Sequence, residues 1–417
     1  MNTARQQVLA SLSHRQPDGV VVDLGATTST GISAVAYNNL KRAIGLRAAH
    51  TRVFDVVQQL AIVEDELLDR FGVGVASAGR NYDLSDAAWY TAELADGSEA
   101  QWPAYFQPAL RADGARELSA ADGTVIGQMP AGGMFFDQTH FPYAGGYPRN
   151  FAHLRRDMQR VLWGACPRGP WQEASEPHFW PKLRRSAEAV REQGRAVVLS
   201  VGCNVVEWGM FLRRMDNFLM DIYAEPDNVR RLVEALAEVH MATLERAVDE
   251  VGDLVDVFRF GDDLGMDRGP LMSPRHYRDL FQPTHQRFCR YVKQHTQAFT
   301  CLHSCGSIYP LIPDLIDAGF DCLNPVQTSC RDMDPVRLKR EFGRELTFWG
   351  GGCDTRRVLN RATPAEVQEH VLERLEILSP GGGFVFCAIH NILPEVPPEN
   401  IMAMFEAVER FNGGAGR

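Results

Sequence analysis

The sequence predicts an α/β fold, a (β/α)8 TIM barrel with an inserted β-hairpin region between strands 2 and 3. Three observations lead there: eight short apolar runs, segments of helical periodicity between them, and a single stretch that breaks the alternation.

The apolar runs are Val20–Leu24, Gly72–Ala76, Ala196–Val201, Val255–Phe260, Ala298–His303, Phe320–Asn324, Leu346–Trp349 and Phe384–Ala388. Each ends in a polar, glycine-rich or charged cluster, as a strand entering a loop does. Helix starts are marked by Ser273-Pro274, Thr363-Pro364 and Glu225-Pro226-Asp227, where a cap residue precedes a proline of the first turn. Between about Tyr82 and Pro148, Asp96-Gly97, Asp113-Gly114 and Asp122-Gly123 separate short mixed runs, which predicts β-hairpins over 82–148 set into one barrel spanning 1–417. That insert is expected to cap one mouth of the barrel. The last residues, Asn412 to Arg417, are expected to fray.

Bulk properties narrow the function. With 45% hydrophobic, 9% aromatic and 23% charged residues, the chain is an ordinary globular protein. A net charge of −10 argues against nucleic acid or an anionic membrane as partner. Met1 to Pro17 lacks the apolar centre of a signal peptide, and no run approaches the ~18 residues of a membrane span, so a cytoplasmic protein is expected. Nine cysteines, an odd number scattered over 417 residues, read as buried thiols or ligands and not as a disulfide framework.

Barrels of this kind carry their chemistry at the C-terminal ends of the strands. The residues there are Asp23 and Thr27–Thr30 after strand 1, Asn204, Glu207 and Trp208 after strand 3, and Asp262 and Asp263 after strand 4. His303 and Cys305 follow strand 5, Asn324 and Gln327 strand 6, Cys353 and Asp354 strand 7, and Cys387, His390 and Asn391 strand 8.

His303-x-Cys305 joins an imidazole and a thiolate two residues apart at a strand end, a pair able to bind a borderline-soft cation such as Zn2+. Cys387 or His390 would complete three ligands with an open position, and Glu207 or Asp262 would supply an oxygen. The alternative is that both histidines hydrogen-bond substrate or backbone and Cys305 is a small buried residue. Of Asp262 and Asp263, one is expected to act on substrate, as acid or base, or behind a ligating histidine, and the other to cap a turn. Trp208, Phe211 and Trp349 read either as core or as the wall of an apolar pocket. Gly350-Gly351-Gly352 and Gly381-Gly382-Gly383 read as turns: the first lacks the Lys-Ser/Thr of a phosphate loop and the second precedes a strand.

Taken together, Gly261-Asp262-Asp263-Leu264-Gly265, His303-Ser304-Cys305-Gly306, Leu323-Asn324-Pro325-Val326-Gln327, Phe348-Trp349-Gly350-Gly351, His390-Asn391-Ile392 and Pro397-Pro398-Glu399-Asn400 resemble the uroporphyrinogen decarboxylase superfamily. Arg5–Leu46, with Leu24-Gly25 and Gly31-Ile32-Ser33-Ala34, is similar to its less-studied bacterial branch. The resemblance implies a (β/α)8 barrel and one of two chemistries. Decarboxylases of the superfamily clamp a carboxylated tetrapyrrole with arginines after strand 1, whereas Val20 to Asn39 contains no Arg or Lys.

The other branch, methylcobalamin:coenzyme M methyltransferases and corrinoid-dependent demethylases, implies zinc on His303 and Cys305 plus a cysteine after strand 8. Here that position falls on or near His390, with Cys387 three residues earlier. The resemblance therefore implies a zinc-dependent methyltransferase acting between a small O-, N- or S-methyl compound, or a thiol, and a corrinoid. Because no Asp-x-His-x-x-Gly type of motif is present, the corrinoid would arrive on a separate partner protein. Asp262, Glu207 and Asp263 are the candidate catalytic groups; Asn204, Trp208, Asn324, Gln327, Trp349 and Asn391 are the candidate substrate contacts. A homodimer is also implied. Two alternatives remain: a decarboxylase using Asp262 and His390, and a non-catalytic barrel that binds a corrinoid or tetrapyrrole.

Overall fold

The computed structural model describes residues 2–46 and 50–414. Eight parallel strands form the centre: β1 Val21–Val22, β2 Val75–Ser77, β3 Ala196–Gly202, β4 Val257–Gly261, β5 Phe299–His303, β6 Cys322–Asn324, β7 Thr347–Trp349 and β8 Phe384–Phe386. Their spatial order is β1-β8-β7-β6-β5-β4-β3-β2. At the remaining seam, Val22 bridges Val73 and the Gly74 N–H donates to Val22 O at 3.0 Å, so the sheet is a nearly closed barrel.

Every expected run overlaps a strand, although several strands are shorter than their apolar stretch and three run one residue past it. The second begins at Val75 because Gly72 turns at φ +64. The first ends at Val22 because the chain bends at once, the Asp23 carboxylate accepting the Ala26 N–H at 3.0 Å.

Helices follow in the expected places: α1 Ala34–Ala43, α2 Phe179–Glu192, α3 Val205–Arg213, α4 Gln282–His295, α5 Ile312–Ala318, α6 Pro335–Phe342, α7 Pro364–Leu378 and α8 Pro398–Gly414. Thr363 caps α7 reciprocally with Glu366, the capping box that its Thr-Pro-Ala-Glu sequence encodes. Helix α8 runs on to Gly414, and Asn412 Oδ1 accepts the Val20 N–H at 2.8 Å. This corrects the expected fraying at 412; residues 415–417 lie outside the described residues. No helix among the described residues is long and apolar enough to cross a membrane.

The barrel interior changes character along its axis. At the N-terminal end, helix Ala4–Leu12 sets Val8 and Leu12 against Val21, Val75, Val198, Val257 and Val385, a closed apolar plug. Toward the other end the inward positions become polar, with Ser29, Arg259 and Asn324 all buried. That polarity positions the site.

The segment 82–148 forms antiparallel hairpins. Trp89–Glu93 pairs with Glu99–Pro103, and Ala109–Leu110, Arg116–Ser119, Val125–Met129 and Asp137–Gln138 make a second sheet. The three Asp-Gly turns repeat one device: the aspartate accepts the N–H two residues on, and Gly97, Gly114 and Gly123 take φ near +80. Gln138 Nε2 donates to Phe211 O at 2.7 Å, so the hairpins rest on α3, the helix that leaves the β3 end of the barrel.

Candidate metal centre

His303 is the last residue of β5, and the next three residues are held by backbone bonds to the neighbouring strand ends. Ser304 N donates to Asn324 O (2.7 Å), Cys305 N to Asp263 Oδ1 (2.8 Å) and Gly306 N to Gln327 Oε1 (2.7 Å). Gly306 turns at φ +91, and a Cβ there would stand 2.4 Å from Gly265 C, so the turn accepts glycine alone. Thus the residue after a short strand is presented at the mouth in one conformation.

Asn324 decides how His303 is used. Its Nδ2 donates to Trp349 O at 3.0 Å, which leaves Oδ1 as the acceptor for His303 Nδ1 at 3.0 Å and for Ser29 Oγ at 2.7 Å. The proton therefore sits on Nδ1, and the bare Nε2 faces Cys305 Sγ at 3.6 Å. The third group is His390, from the loop after β8. One ligating atom from each of His303, Cys305 and His390 lies within 4.8 Å of the other two.

Two nitrogens and a sulfur suit a borderline cation such as Zn2+, and three protein ligands leave a position for substrate. The surroundings fit this use. Burial, followed by Arg259 and His390, holds His303 well below the ordinary imidazole value, and burial with Arg259 brings His390 down to about 4. Both rings are neutral donors. Burial, then Asp263 and Glu207, raises the Cys305 thiol well above its ordinary value, so a thiolate here needs an adjacent cation.

The uroporphyrinogen decarboxylase (URO-D) family model matches residues 191–411, more than half of the chain. The chain belongs to the uroporphyrinogen decarboxylase family. Among relatives of this family member, a "Methylcobamide:CoM methyltransferase MtaA" of Methanosarcina barkeri is 28% identical over 149 residues, 34% of this chain and 38% of the relative. A protein of the same name from Methanosarcina barkeri (strain Fusaro / DSM 804) is 26% identical over 148 residues, again 34% and 38%. This chain thus matches just over a third of the length of these curated relatives. A solved "methyltransferase from Methanosarcina mazei" superposes with a TM-score of 0.58 over 99% of both chains at 18% identity, a likeness of fold.

Within this uroporphyrinogen decarboxylase barrel the other candidates separate into two groups. Asp263 stays at the site, 3.6 Å from His303 Nε2. Glu207 lies close enough to raise Cys305, is itself raised by burial and the nearby Asp263 and Asp262, and receives Asn204 Nδ2 at 3.1 Å.

Cys387 is not part of the three-residue group. It packs in the apolar barrel interior with Trp349 and Cys301. Trp349, donating to Asp23 Oδ2 at 2.8 Å, belongs to that same interior. Trp208 is also core, edge-on to Phe211 at 5.7 Å. Gln327 and Asn391 both hold backbone: Gln327 Oε1 accepts the Gly306 N–H, and Asn391 joins Gly31 N and Thr28 O, tying the loops after β1 and β8 together.

Asp262 anchors the start of α3. Its carboxylate accepts the N–H groups of Val205, Val206 and Glu207 at 2.9, 2.8 and 2.9 Å, and His285 Nε2 at 3.0 Å. An anion at the first turn of a helix satisfies donors that have no partner within it. These bonds hold the start of α3, which carries Glu207, and match the capping role expected of one member of the Asp262-Asp263 pair.

Two contributors escaped the sequence reading, whereas Ser29 lies in the Thr27–Thr30 run already named after strand 1. Arg259 is buried inside β4, and the signal was a charge in the middle of Val257-Phe258-Arg259-Phe260. His285, on the buried face of α4, carried no distinguishing signal.

The Asn324 arrangement yields a direct prediction. N324A is expected to weaken metal binding ~10–100-fold by releasing His303, while N324D, which keeps an acceptor, retains more of it. Competition with a chromophoric chelator measures both; equal affinity of N324A and wild type would refute the assignment.

Proposed function

We propose that the chain is a zinc-dependent methyltransferase, moving a methyl group between a small O-, N- or S-methyl compound, or a thiol, and a corrinoid carried by a separate partner protein. The observation that carries this reading is the convergence of His303, Cys305 and His390 at the C-terminal mouth of the barrel. The name shared by the Methanosarcina barkeri relatives supports the methyl and corrinoid parts.

His303, Cys305 and His390 would hold the ion. When bound, zinc supplies Lewis acidity, lowering the pKa of a substrate thiol or polarising the heteroatom that bears the methyl group. The protein's own groups do the rest. Asn324 keeps the His303 Nε2 lone pair aimed at the site, and Asp263 fixes the Cys305 backbone. Glu207, kept in its protonated form by burial and two neighbouring carboxyls, stands ready to protonate a leaving oxygen or nitrogen, with Asn204 holding one carboxyl oxygen. The hairpin region 82–148 would form one side of the surface that receives the corrinoid.

The test is methyl transfer from methylcobalamin to a small thiol, followed by the visible spectrum of the corrinoid. Turnover that appears with zinc and vanishes with a chelator is expected. A protein carrying its full zinc complement that alters neither methylcobalamin, nor reduced cobalamin given methyl ethers, methylamines and thioethers, would sink the reading.

A further inference from the structure

Helix α3 begins without a cap of its own. Asn204 stands at its N-cap, where an asparagine side chain ordinarily accepts an N–H of the first turn, but it makes no such bond. Its Nδ2 donates instead to Glu207 Oε2 at 3.1 Å. The capping is done from the neighbouring strand end, after β4, where Asp262 accepts the Val205, Val206 and Glu207 N–H groups. Val205 and Val206 are buried, so water cannot take over these donors. A helix stabilised for its own sake would use the local asparagine; here that side chain is given to the Glu207 carboxyl.

Asp262 is in turn held from behind. His285 Nε2 donates to Asp262 Oδ2 at 3.0 Å, and the other ring nitrogen, Nδ1, meets the Tyr277 hydroxyl at 3.0 Å. Tyr277 lies on the helix Pro274–Leu280 that precedes α4, and all three side chains are fully buried. With a bond at each nitrogen, the imidazole cannot flip without losing both. A buried polar chain whose members are all satisfied is rigid. The same aspartate donates its backbone N–H to His303 O at 3.0 Å, so it fixes the first turn of α3 against the strand end that carries His303. A Cβ at Gly261 would stand 3.0 Å from Glu207 Oε2, which places the carboxyl directly on the end of β4.

We propose that Tyr277 and His285 are positioning residues, acting through Asp262 to hold Glu207 at a fixed place beside the metal centre. That role rests on the proposed use of Glu207 as a proton donor, because a general acid works only within hydrogen-bond reach of the atom it protonates.

The test places Y277F, H285L and H285Q in the wild-type and E207Q backgrounds and measures zinc content with kcat and KM for methyl transfer. H285L is expected to lower kcat by up to ~100-fold, the cost of misplacing a reacting group by about 1 Å, at unchanged KM and zinc content. Y277F, which keeps the bond to Asp262, loses less. H285Q, whose amide can donate to Asp262 and accept from Tyr277, recovers part of the rate. In E207Q the same changes should alter kcat by less than about twofold, because the group they position is gone. Equal fold losses in both backgrounds overturn the proposal, as does a loss expressed in KM or in zinc. Amide exchange at Val205, Val206 and Glu207, followed by mass spectrometry, needs no turnover: it should quicken in H285L and slow again in H285Q. Unchanged exchange in H285L overturns the positioning role even where methyl transfer is observed. Wild type that transfers no methyl group, together with faster exchange in H285L, sinks the methyltransferase reading and leaves the positioning chain standing.

Discussion

Replacing Cys305 by serine is expected to remove zinc from the protein and abolish methyl transfer, and His303→Ala and His390→Ala are expected to do the same. Loss of an outer residue that only orients a ligand already weakens binding ~10–100-fold, so loss of a direct ligand should exceed that range. Cys387→Ser provides the contrast. Cys387 packs in the apolar interior beside Trp349, outside the group of converging donor atoms, and C387S should keep about one zinc per chain, as expected of a single site. Elemental analysis of the four variants beside wild type decides the ligand set. If H390A retains zinc and C387S loses it, the site uses two sulfurs and the geometry described above is not the working one.

The second large effect is one of stability. Asp262→Ala would leave three N–H groups of α3 and the buried His285 without their acceptor, and breaking such a buried charged network costs ~3–5 kcal/mol. Asp262→Asn should be intermediate, because it retains one acceptor oxygen but turns an amide toward donors. Urea midpoints measure both. The folded fraction of D262N should still bind zinc, since no metal donor is removed. A D262N protein as stable as wild type and unable to turn over would instead return Asp262 to the reacting groups.

Much of the architecture was legible along the chain because strands, turns and helix starts are local. The eight apolar runs, the Thr363-Pro364 cap and the three Asp-Gly turns are each set by residues within a few positions of one another. His303 and Cys305 were legible for the same reason: a strand end followed by a tight turn offers both side chains to the mouth whatever the rest of the barrel does. The chemistry those residue types support, an N and S site for a borderline cation, also follows from the sequence.

What the tertiary structure alone decided was direction and distance. Asp262 and Asp263 are adjacent, yet one turns to the amide ends of α3 and the other to Cys305, a choice made by where α3 lies. His390 and Cys387 are three residues apart, and only the folded barrel groups His390 with His303 and Cys305 while packing Cys387 in the apolar interior. Arg259 is one charge in an apolar strand, and only the neighbouring strands bury it and leave its Nε without a hydrogen-bond partner among the described residues. Local pattern specifies which way the backbone runs, but a side chain's partner is set by elements tens to hundreds of residues distant, and only closure of the barrel brings them together.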